Sequence, residues 1–203
     1  MRQRLTEEFY ARHSTVVAPD LIGKLLVVGE CSGRITEVEA YSGADDAASH
    51  AYRGRSSRND VMFGPAGHIY VYFTYGMHFC ANVVTDTVGV ANAVLLRAIE
   101  PIDGIEQMVD RRGRSDNLTN GPGKLCQALG LDRSDDGASL LTGEIGIYDD
   151  GWPDRSAGRA IVVSPRIGIT RAVDFPWRWQ LAAERVERKQ RVERRRPGGS
   201  RTP

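Results

Sequence analysis

HIYVYFTYGMHFCANVV, from His68 to Val84, begins as a run of aromatic and β-branched residues and breaks at Tyr75-Gly76-Met77. Such residues suit a half-buried pleated surface, so the run predicts a strand that continues beyond the glycine. Three tyrosines, at positions 70, 72 and 75, lie in this one region. Two explanations fit this cluster of tyrosines: the rings pack in the core, or some of them contact a ligand.

The segments around this strand predict a sheet. Residues 25–41, LLVVGECSGRITEVEAY, have the pattern of a β-hairpin with its turn between Gly29 and Gly33. Residues 42–67 are rich in Ser, Ala, Asp, Arg and Gly, and a loop of this length is typical of a functional segment. Further strands are predicted at 90–100, ending before Pro101, at 144–151 and at 159–170.

Four segments predict helices, at 5–14, 18–24, 102–112 and 120–131. The first has Thr6 as its predicted N-cap, with two glutamates in the first turn. The last has Pro122 near its first position and Gly130 just past its end, as helices prefer.

These elements predict an α+β fold in one domain, with a mixed, mostly antiparallel sheet and helices around it. A chain of 203 residues that is 41% hydrophobic can bury one sizeable core. We assign residues 1–183 to this domain. Residues 184–203 are poor in apolar side chains and rich in arginine, and we expect them to form a flexible basic tail.

Charge and cysteine usage narrow the class of protein. The net charge of +1 does not by itself indicate a nucleic-acid partner, yet arginines cluster at 53–58, at 111–114 and at 185–196. The three cysteines are widely spaced and form no CxxC, which argues against a disulfide framework and a zinc site. No segment has the pattern of a signal peptide or the length of a membrane span. We therefore expect a cytoplasmic protein without a membrane partner.

Two glutamates stand out in ITEVEAY, residues 35–41. On a strand, Glu37, Glu39 and Tyr41 share one face, although glutamate is depleted in strands. One explanation is a solvated outer face of the sheet. The other is a carboxylate that a rigid strand holds as a general base.

The histidines and the glycine-rich segment give weaker signals. His13, His50, His68 and His78 lack the spacing of metal ligands, so no metal site is predicted. NGPGK lacks the spacing of a phosphate-binding loop, but amides at this helix start, with Lys124 beside them, could hold one phosphate. An ordinary capped surface helix explains that segment equally well.

Five blocks of this sequence together resemble the 3-methyladenine (alkyladenine) DNA glycosylases. They are TEVEAYSGADDAASHAYRGRSSRN, MFGPAGHIYVYFTYGMHFCANVV, AVLLRAIEP, GPGKLCQALGL and PRIGI, in the family's order, and the likeness runs from about residue 5 to about residue 180. After PWRW the family continues with a short apolar segment, whereas this chain continues with LAAERVERKQRVERRR.

The resemblance implies base-excision repair of alkylated or deaminated purines in double-stranded DNA. An enzyme that works on a base in a duplex must flip the nucleotide out of the stack. The resemblance places Tyr41, His50 and Tyr72 around the flipped base. It makes Tyr75 the side chain that enters the duplex in its place, with Met77 beside it. Tyr70 is expected in the core.

The resemblance also implies the catalytic groups. Glu39 matches the general base that activates water, Arg97 matches a residue that orients this water, and the backbone carbonyl of Ile167 is expected to supply a third contact. Asn82 matches a pocket residue that disfavours the amino group of guanine. No lysine nucleophile, metal or organic cofactor is implied, so we expect a monofunctional glycosylase, acting as a monomer.

Three points stay open at the level of sequence. Arg53, Arg58 and Lys124 are the predicted phosphate-binding residues, without a way to rank them. A catalytically silent module that binds lesions or nucleic acid on the same fold is the alternative function, and a hydrolase of free nucleosides is a weaker one. The preferred lesion among 3-methyladenine, hypoxanthine and ethenoadenine is not predicted.

Overall fold

A computed structural model describes residues 2–152 and 158–182, and an antiparallel sheet runs through this part of the chain. Its strands follow the order β1-β7-β2-β3-β6-β5-β4, with β9 paired to β3 and β8 paired to β9. Every pairing between these strands is antiparallel. The strands are β1 (Gln3–Arg4), β2 (Leu25–Val28), β3 (Cys31–Ser42), β4 (Ile69–Thr74), β5 (His78–Thr85), β6 (Asn92–Asp103), β7 (Ile145–Asp149), β8 (Ile161–Ser164) and β9 (Arg178–Leu181).

Four α-helices pack around the sheet: α1 (Glu7–Tyr10), α2 (Ser14–Leu21), α3 (Ile105–Arg112) and α4 (Pro122–Leu129). The α+β prediction is confirmed, and α4 starts at Pro122 and ends before Gly130 as predicted. The second helix begins earlier than predicted, because the His13 ring accepts a hydrogen bond from the Thr15 amide and caps it. Thr6 is the N-cap residue of α1 as predicted, but its side chain makes no capping hydrogen bond.

The tyrosine strand is the first arm of a tight hairpin. The Met77 amide donates to the Thr74 carbonyl at 3.1 Å, and the two central residues, Tyr75 and Gly76, have φ of 50° and 66°. Positive φ at both positions is the signature of a type I′ turn, which matches the twist of the flanking strands. Glycine adopts this conformation freely, whereas a left-handed tyrosine costs about 1–2 kcal/mol.

Strands β3 and β6 form the longest pairing, and it contains three register shifts, one beside Gly33 and two around Glu37. Thr36 is an extra residue on β3, and Arg97 is an extra residue on β6, between the pairs Glu37–Ala98 and Val38–Leu96. Bulges of this kind re-aim side chains and occur often beside active sites.

Strand β6 also passes through Pro101, so the prediction that it ends before this proline is wrong. Pro101 lies opposite Gly33 next to a register shift, where a proline disturbs the ladder little. A Cβ on Gly33 would lie 2.6 Å from the Ile99 side chain and 2.8 Å from the Glu100 carbonyl oxygen. Glycine is therefore what allows the two strands to approach here.

Two groups of buried apolar side chains stabilise this arrangement. The larger lies between the sheet and helices α2 and α4 and includes Leu21, Ile35, Leu96 and Leu125. A smaller one, which includes Met62 and Tyr70, lies under the loop 43–68. That loop contains two 3-10 turns, Gly43–Asp45 and Asp60–Phe63.

Strands β1 and β9 were not predicted, because two and four residues carry too little periodicity. The basic tail, residues 184–203, lies outside the described residues, as do residues 153–157. The assignment of the tail as a separate flexible segment stays a prediction.

Candidate active site

A cavity of about 490 Å³ opens where β3, β5 and β6 face the loop that carries His50. The β4–β5 hairpin, the first turn of α4 and residues 167–169 complete its wall. Eight of the predicted site residues line it, drawn from six separated segments of the sequence: Tyr41, His50, Tyr72, Tyr75, Asn82, Arg97, Lys124 and Ile167. The fold thus brings the predicted residues together.

Aromatic rings form one side of the cavity. The His50 ring meets the Tyr72 ring edge-on, with centroids 4.5 Å apart. Behind them, Tyr70 is buried, stacks on Tyr72 at 5.5 Å and has its hydroxyl 3.1 Å from Nδ1 of His50. The buried position predicted for Tyr70 is confirmed, although it also supports the two rings in front of it.

These rings are uncharged near neutral pH. Burial, and then the nearby Arg58 guanidinium, hold the pKa of His50 below its ordinary value. Burial also raises the pKa of Tyr41 and of Tyr72 well above that of a free tyrosine. A cationic base that enters this cavity would therefore meet neutral π surfaces, which attract cations.

Glu39 is fully buried beside these rings and is held by two hydrogen bonds and one ion pair. Its Oε1 accepts from the Ile167 amide at 2.8 Å and lies 3.2 Å from Nη1 of Arg97. Its Oε2 accepts from the Tyr41 hydroxyl at 2.9 Å. These three contacts fix the position of the carboxylate. Ile167 contacts Glu39 through its N–H, and the predicted contact of its carbonyl with the attacking water stays a prediction.

Arg97 joins Glu39 to Glu37. Its Nε donates to Glu37 at 2.7 Å, and the Arg178 Nε donates to the same Glu37 oxygen at 2.6 Å. Glu37 is only 8% exposed, so a solvated outer face is wrong for this pair of glutamates. Because Arg178 lies on β9, far along the chain, the partner of Glu37 could not be read from ITEVEAY.

Asn82 and the hairpin tip occupy opposite ends of the cavity. Asn82 is buried, and its amide nitrogen donates to the Tyr70 carbonyl at 3.1 Å, which fixes the side chain. At the tip, Tyr75 is 82% exposed and Met77 is 69% exposed. Large apolar side chains at such exposure on a strained turn suggest a binding role.

The three predicted phosphate-binding residues differ in their position relative to the cavity. Arg58 donates to the Phe73 carbonyl at 3.4 Å, close to the hairpin. Lys124 lines the cavity mouth and donates to Asn120 at 2.9 Å. Arg53 is exposed and does not line the cavity.

Sequence reasoning missed two residues of this region, Asp46 and Arg166. Their side chains form a fully buried ion pair behind Tyr41. A charged residue in each of two polar loops gives no sign of burial, so their proximity depends on the fold.

Neither a metal-binding cluster nor a membrane-spanning helix is found within residues 2–152 and 158–182. No group of three or more His, Cys, Asp or Glu side chains there has an arrangement that could hold a metal ion. No helix in the same ranges is long and apolar enough to cross a membrane.

Comparison with known proteins assigns the fold and site to a class. The family described as Methylpurine-DNA glycosylase (MPG) matches residues 8–185. The chain therefore belongs to the methylpurine-DNA glycosylase family.

Individual relatives agree with this assignment. A Chlorobaculum tepidum protein is 50% identical over 187 residues, which cover 89% of this chain and 88% of that protein. A Chlorobaculum parvum protein is 45% identical, covering 95% of this chain and all of that protein. A Methanoculleus marisnigri protein is 49% identical, covering 89% of this chain and 96% of that protein. All three are named "Putative 3-methyladenine DNA glycosylase".

Proposed function

We propose that this protein is a DNA repair glycosylase that excises alkylated or deaminated purines from double-stranded DNA and so starts base-excision repair. The observation that carries the proposal is the fully buried Glu39, held by two hydrogen bonds and the Arg97 ion pair directly behind residues that line an aromatic cavity, with an exposed tyrosine at the cavity wall. Membership of the family supports the same activity.

The hairpin and the cavity have complementary roles in base flipping. Extrusion of a nucleotide costs a few kcal/mol and is easiest for damaged or poorly paired bases. Tyr75, which projects from the turn, fills the gap in the stack, and Met77 packs beside it. The extruded purine enters between Tyr41, His50 and Tyr72. Asn82 sits where it can contact an edge of the base.

Glu39 then activates water. It takes a proton from the water as the oxygen bonds to C1′ of the sugar and the C1′–N bond breaks. The electron pair of that bond leaves with the base, which an alkylated, cationic purine accepts readily. The Arg97 guanidinium stabilises the Glu39 carboxylate and orients it. The Ile167 amide donates to the same carboxylate and helps to fix its direction.

The lysines support a monofunctional enzyme. The sequence contains three, Lys24, Lys124 and Lys189. Lys24 pairs with Asp149 on the far side of the sheet, and Lys124 binds Asn120 at the rim. A cationic alkylated purine is a good leaving group, so water activated by Glu39 suffices as the nucleophile, and we expect no cut in the DNA strand.

The same geometry bears on partners and location. The described part of the chain supplies the base, the aromatic walls and the hairpin by itself, which fits a monomer acting on duplex DNA. Its place in the cell is then with the chromosomal DNA, in the cytoplasm.

An oligonucleotide assay tests the function. Duplexes that carry 3-methyladenine, hypoxanthine or 1,N6-ethenoadenine are incubated with the protein, and abasic sites are revealed by alkali. We expect an abasic site in place of at least one of the three lesions and none in the undamaged duplex. Tight lesion binding without abasic sites would favour the silent binding module, and excision from free nucleosides alone would favour the nucleoside hydrolase.

Tyr75→Ala should slow excision from duplex DNA by about tenfold to a hundredfold, since unstacking costs a few kcal/mol. On a single-stranded substrate the loss should be small, because there is little stacking to break. Single-turnover rates on both substrates measure this. Equal losses would instead make Tyr75 a residue of the base pocket.

Tyr75→Asn is the matched variant for the turn. Asparagine adopts left-handed φ more easily than tyrosine, so the free energy of unfolding should rise by up to about 1 kcal/mol. Duplex excision should nevertheless fall as in Tyr75→Ala. Urea denaturation and excision rates together check this opposite response. A decrease in stability would mean that the Tyr75 ring packs against the protein.

Deletion of residues 184–203 should flatten the salt dependence of DNA binding without changing lesion preference. From position 185 onward this segment has two acidic residues against eight basic ones: Arg185, Arg188, Lys189, Arg191, Arg194, Arg195, Arg196 and Arg201. Each lost phosphate contact lowers the slope of log K against log salt by about 0.9. Fluorescence anisotropy at several salt concentrations measures the slope, and an unchanged slope would show that the tail does not contact DNA.

A further inference from the structure

Arg166 and Asp46 form a two-pronged ion pair that water does not reach. Nη2 of Arg166 donates to Oδ1 of Asp46 at 2.8 Å, and Nη1 donates to Oδ2. Both side chains are fully buried. Burying two charges is expensive, and such a pair often stabilises a protein no better than apolar residues would. Stability alone is therefore a weak explanation for it.

The guanidinium of Arg166 reaches β3 between two residues of the active site. Its Nη1 also donates to the Ala40 carbonyl at 2.9 Å, and Ala40 lies between Glu39 and Tyr41. The guanidinium stacks on the Tyr41 ring, with its carbon 4.6 Å from the ring centroid, and lies 5.2 Å from that of Trp177. Arg166 thus supports the Tyr41 ring from one side, and the buried Asp46 carboxylate holds Arg166 itself in place.

Asp46 holds the start of the segment that leads to His50. Its Oδ1 accepts from the Ala48 amide at 3.0 Å, and its carbonyl accepts from the Ser49 amide at 2.8 Å. Its Oδ2 accepts from the Ser42 amide at 3.4 Å, at the end of β3. One carboxylate therefore fixes the chain that carries His50 relative to the strand that carries Glu39.

The residue after Arg166 contacts Glu39 directly. The Ile167 amide donates to Oε1 of Glu39 at 2.8 Å. Ile167 lies in an irregular segment after β8, so no strand or helix fixes the direction of its N–H. The side chain of the preceding residue, anchored at Asp46, is what fixes it.

We infer that Arg166 and Asp46 are positioning residues, which set the Ile167 amide on Glu39 and hold the Tyr41 ring and the His50 loop at the base pocket. Neither side chain contacts Glu39, so they act through these three groups. The inference rests on the proposed function for its kinetic consequences, whereas the placement of the Ile167 amide can be measured without it.

The chain contains a matched control pair. Arg34 and Asp150 also form a two-pronged ion pair, with distances of 2.8 and 2.9 Å, and Arg34 stacks on Trp152 at 4.7 Å. This pair is largely buried as well, but neither residue lines the cavity. Arg34→Lys therefore removes the same kind of contact at a site without a catalytic neighbour.

Arg166→Lys should keep the charge but lose the fork and the stacking on Tyr41. With the Ile167 amide released, single-turnover excision of hypoxanthine should slow by about tenfold, because the Glu39 carboxylate loses one of the groups that hold it in place. Arg97 and Tyr41, its other two partners, are unchanged. Lesion binding should weaken several-fold. Arg34→Lys should leave both the excision rate and the binding unchanged.

Hydrogen exchange separates this inference from the proposed function. The Ile167 amide should exchange at least about tenfold faster in Arg166→Lys than in the wild type, and at the wild-type rate in Arg34→Lys. This result is expected even if the wild type excises no base, an outcome that would sink the proposed function alone. Unchanged Ile167 exchange in a folded Arg166→Lys overturns the positioning role. If Arg166→Lys does not fold, Asp46→Asn, which keeps the side-chain size, takes its place with the same two outcomes.

Discussion

Glu39→Gln should lower single-turnover excision by about 10²–10⁴-fold and leave the affinity for a lesion duplex close to that of the wild type. Glutamine keeps the size of the side chain, and its amide oxygen can still accept from the Ile167 N–H while its NH2 group faces the Tyr41 oxygen, but it cannot take a proton from water. A positioned general base contributes an effect of that size, or roughly 3–5 kcal/mol of the barrier. Rapid-quench kinetics on an ethenoadenine duplex, with anisotropy for binding, measures both quantities.

Two other glutamates calibrate this result. Glu100→Gln changes an exposed carboxylate on β6 that pairs with Arg159, and it should have no effect on excision. The excision rate of Glu37→Gln should lie between those of Glu39→Gln and Glu100→Gln, because Glu37 binds Arg97 but not the reacting water. Near wild-type activity in Glu39→Gln together with loss in Glu37→Gln would reassign the base to Glu37. Full activity in both would favour a different chemistry.

The pH profile gives a second check of the same role. Excision of neutral hypoxanthine requires a charged Glu39 and also gains from protonation of the leaving base, so its rate should pass through a maximum with pH. A cationic 3-methyladenine leaves without this proton, and its rate should depend mainly on the acidic limb. Profiles of the same shape for both lesions would contradict the assignment.

Arg97→Met should reduce excision by about tenfold to a hundredfold and destabilise the fold by roughly 3–5 kcal/mol at neutral pH. The methionine fills most of the space but leaves Glu39 fully buried without a cation, and removing one partner of a buried ion pair has a cost of that order. The loss should shrink as the pH falls, because protonated carboxylates no longer need the cation. Urea denaturation at several pH values measures this dependence.

Arg178→Met is the control for that variant. The Arg178 side chain binds Glu37, Ser164 and Gln180, whereas β9 meets Glu39 only through its backbone pairing with β3. Loss of this side chain should lower stability while excision slows less than in Arg97→Met. If both arginine variants slow excision equally, Arg97 acts only through the general field of the cluster and not as a direct partner of the Glu39 carboxylate.

The residues that the sequence made predictable are those whose role depends on local pattern. The run of aromatic and β-branched residues predicted the strand β4, and the glycine after Tyr75 predicted the break at the hairpin tip. Alternation along β3 likewise placed Glu37 and Glu39 together. The family resemblance then selected Glu39, and the structure provides the three contacts around it.

The residues that could not be predicted depend on contacts between distant segments. The burial of Glu37 requires Arg178 from β9, a strand of four residues that periodicity does not reveal. Arg97 reaches both glutamates because a bulge interrupts β6, and nothing in AVLLRAIEP indicates an extra residue. Arg166 lies in PRIGI, inside the strand predicted at 159–170; the observed strand ends at Ser164, and only the fold brings Asp46 to Arg166.

The most direct test of the central claim is product analysis on methylated duplex DNA with the protein in excess. Free 3-methyladenine, abasic sites and strand breaks are measured in the same reaction for the wild type and for Glu39→Gln. The wild type should release free base and abasic sites in equal amounts without strand breaks, and Glu39→Gln should release almost none. Equal release by both proteins, or tight binding with no release by the wild type, would contradict a water-activating Glu39.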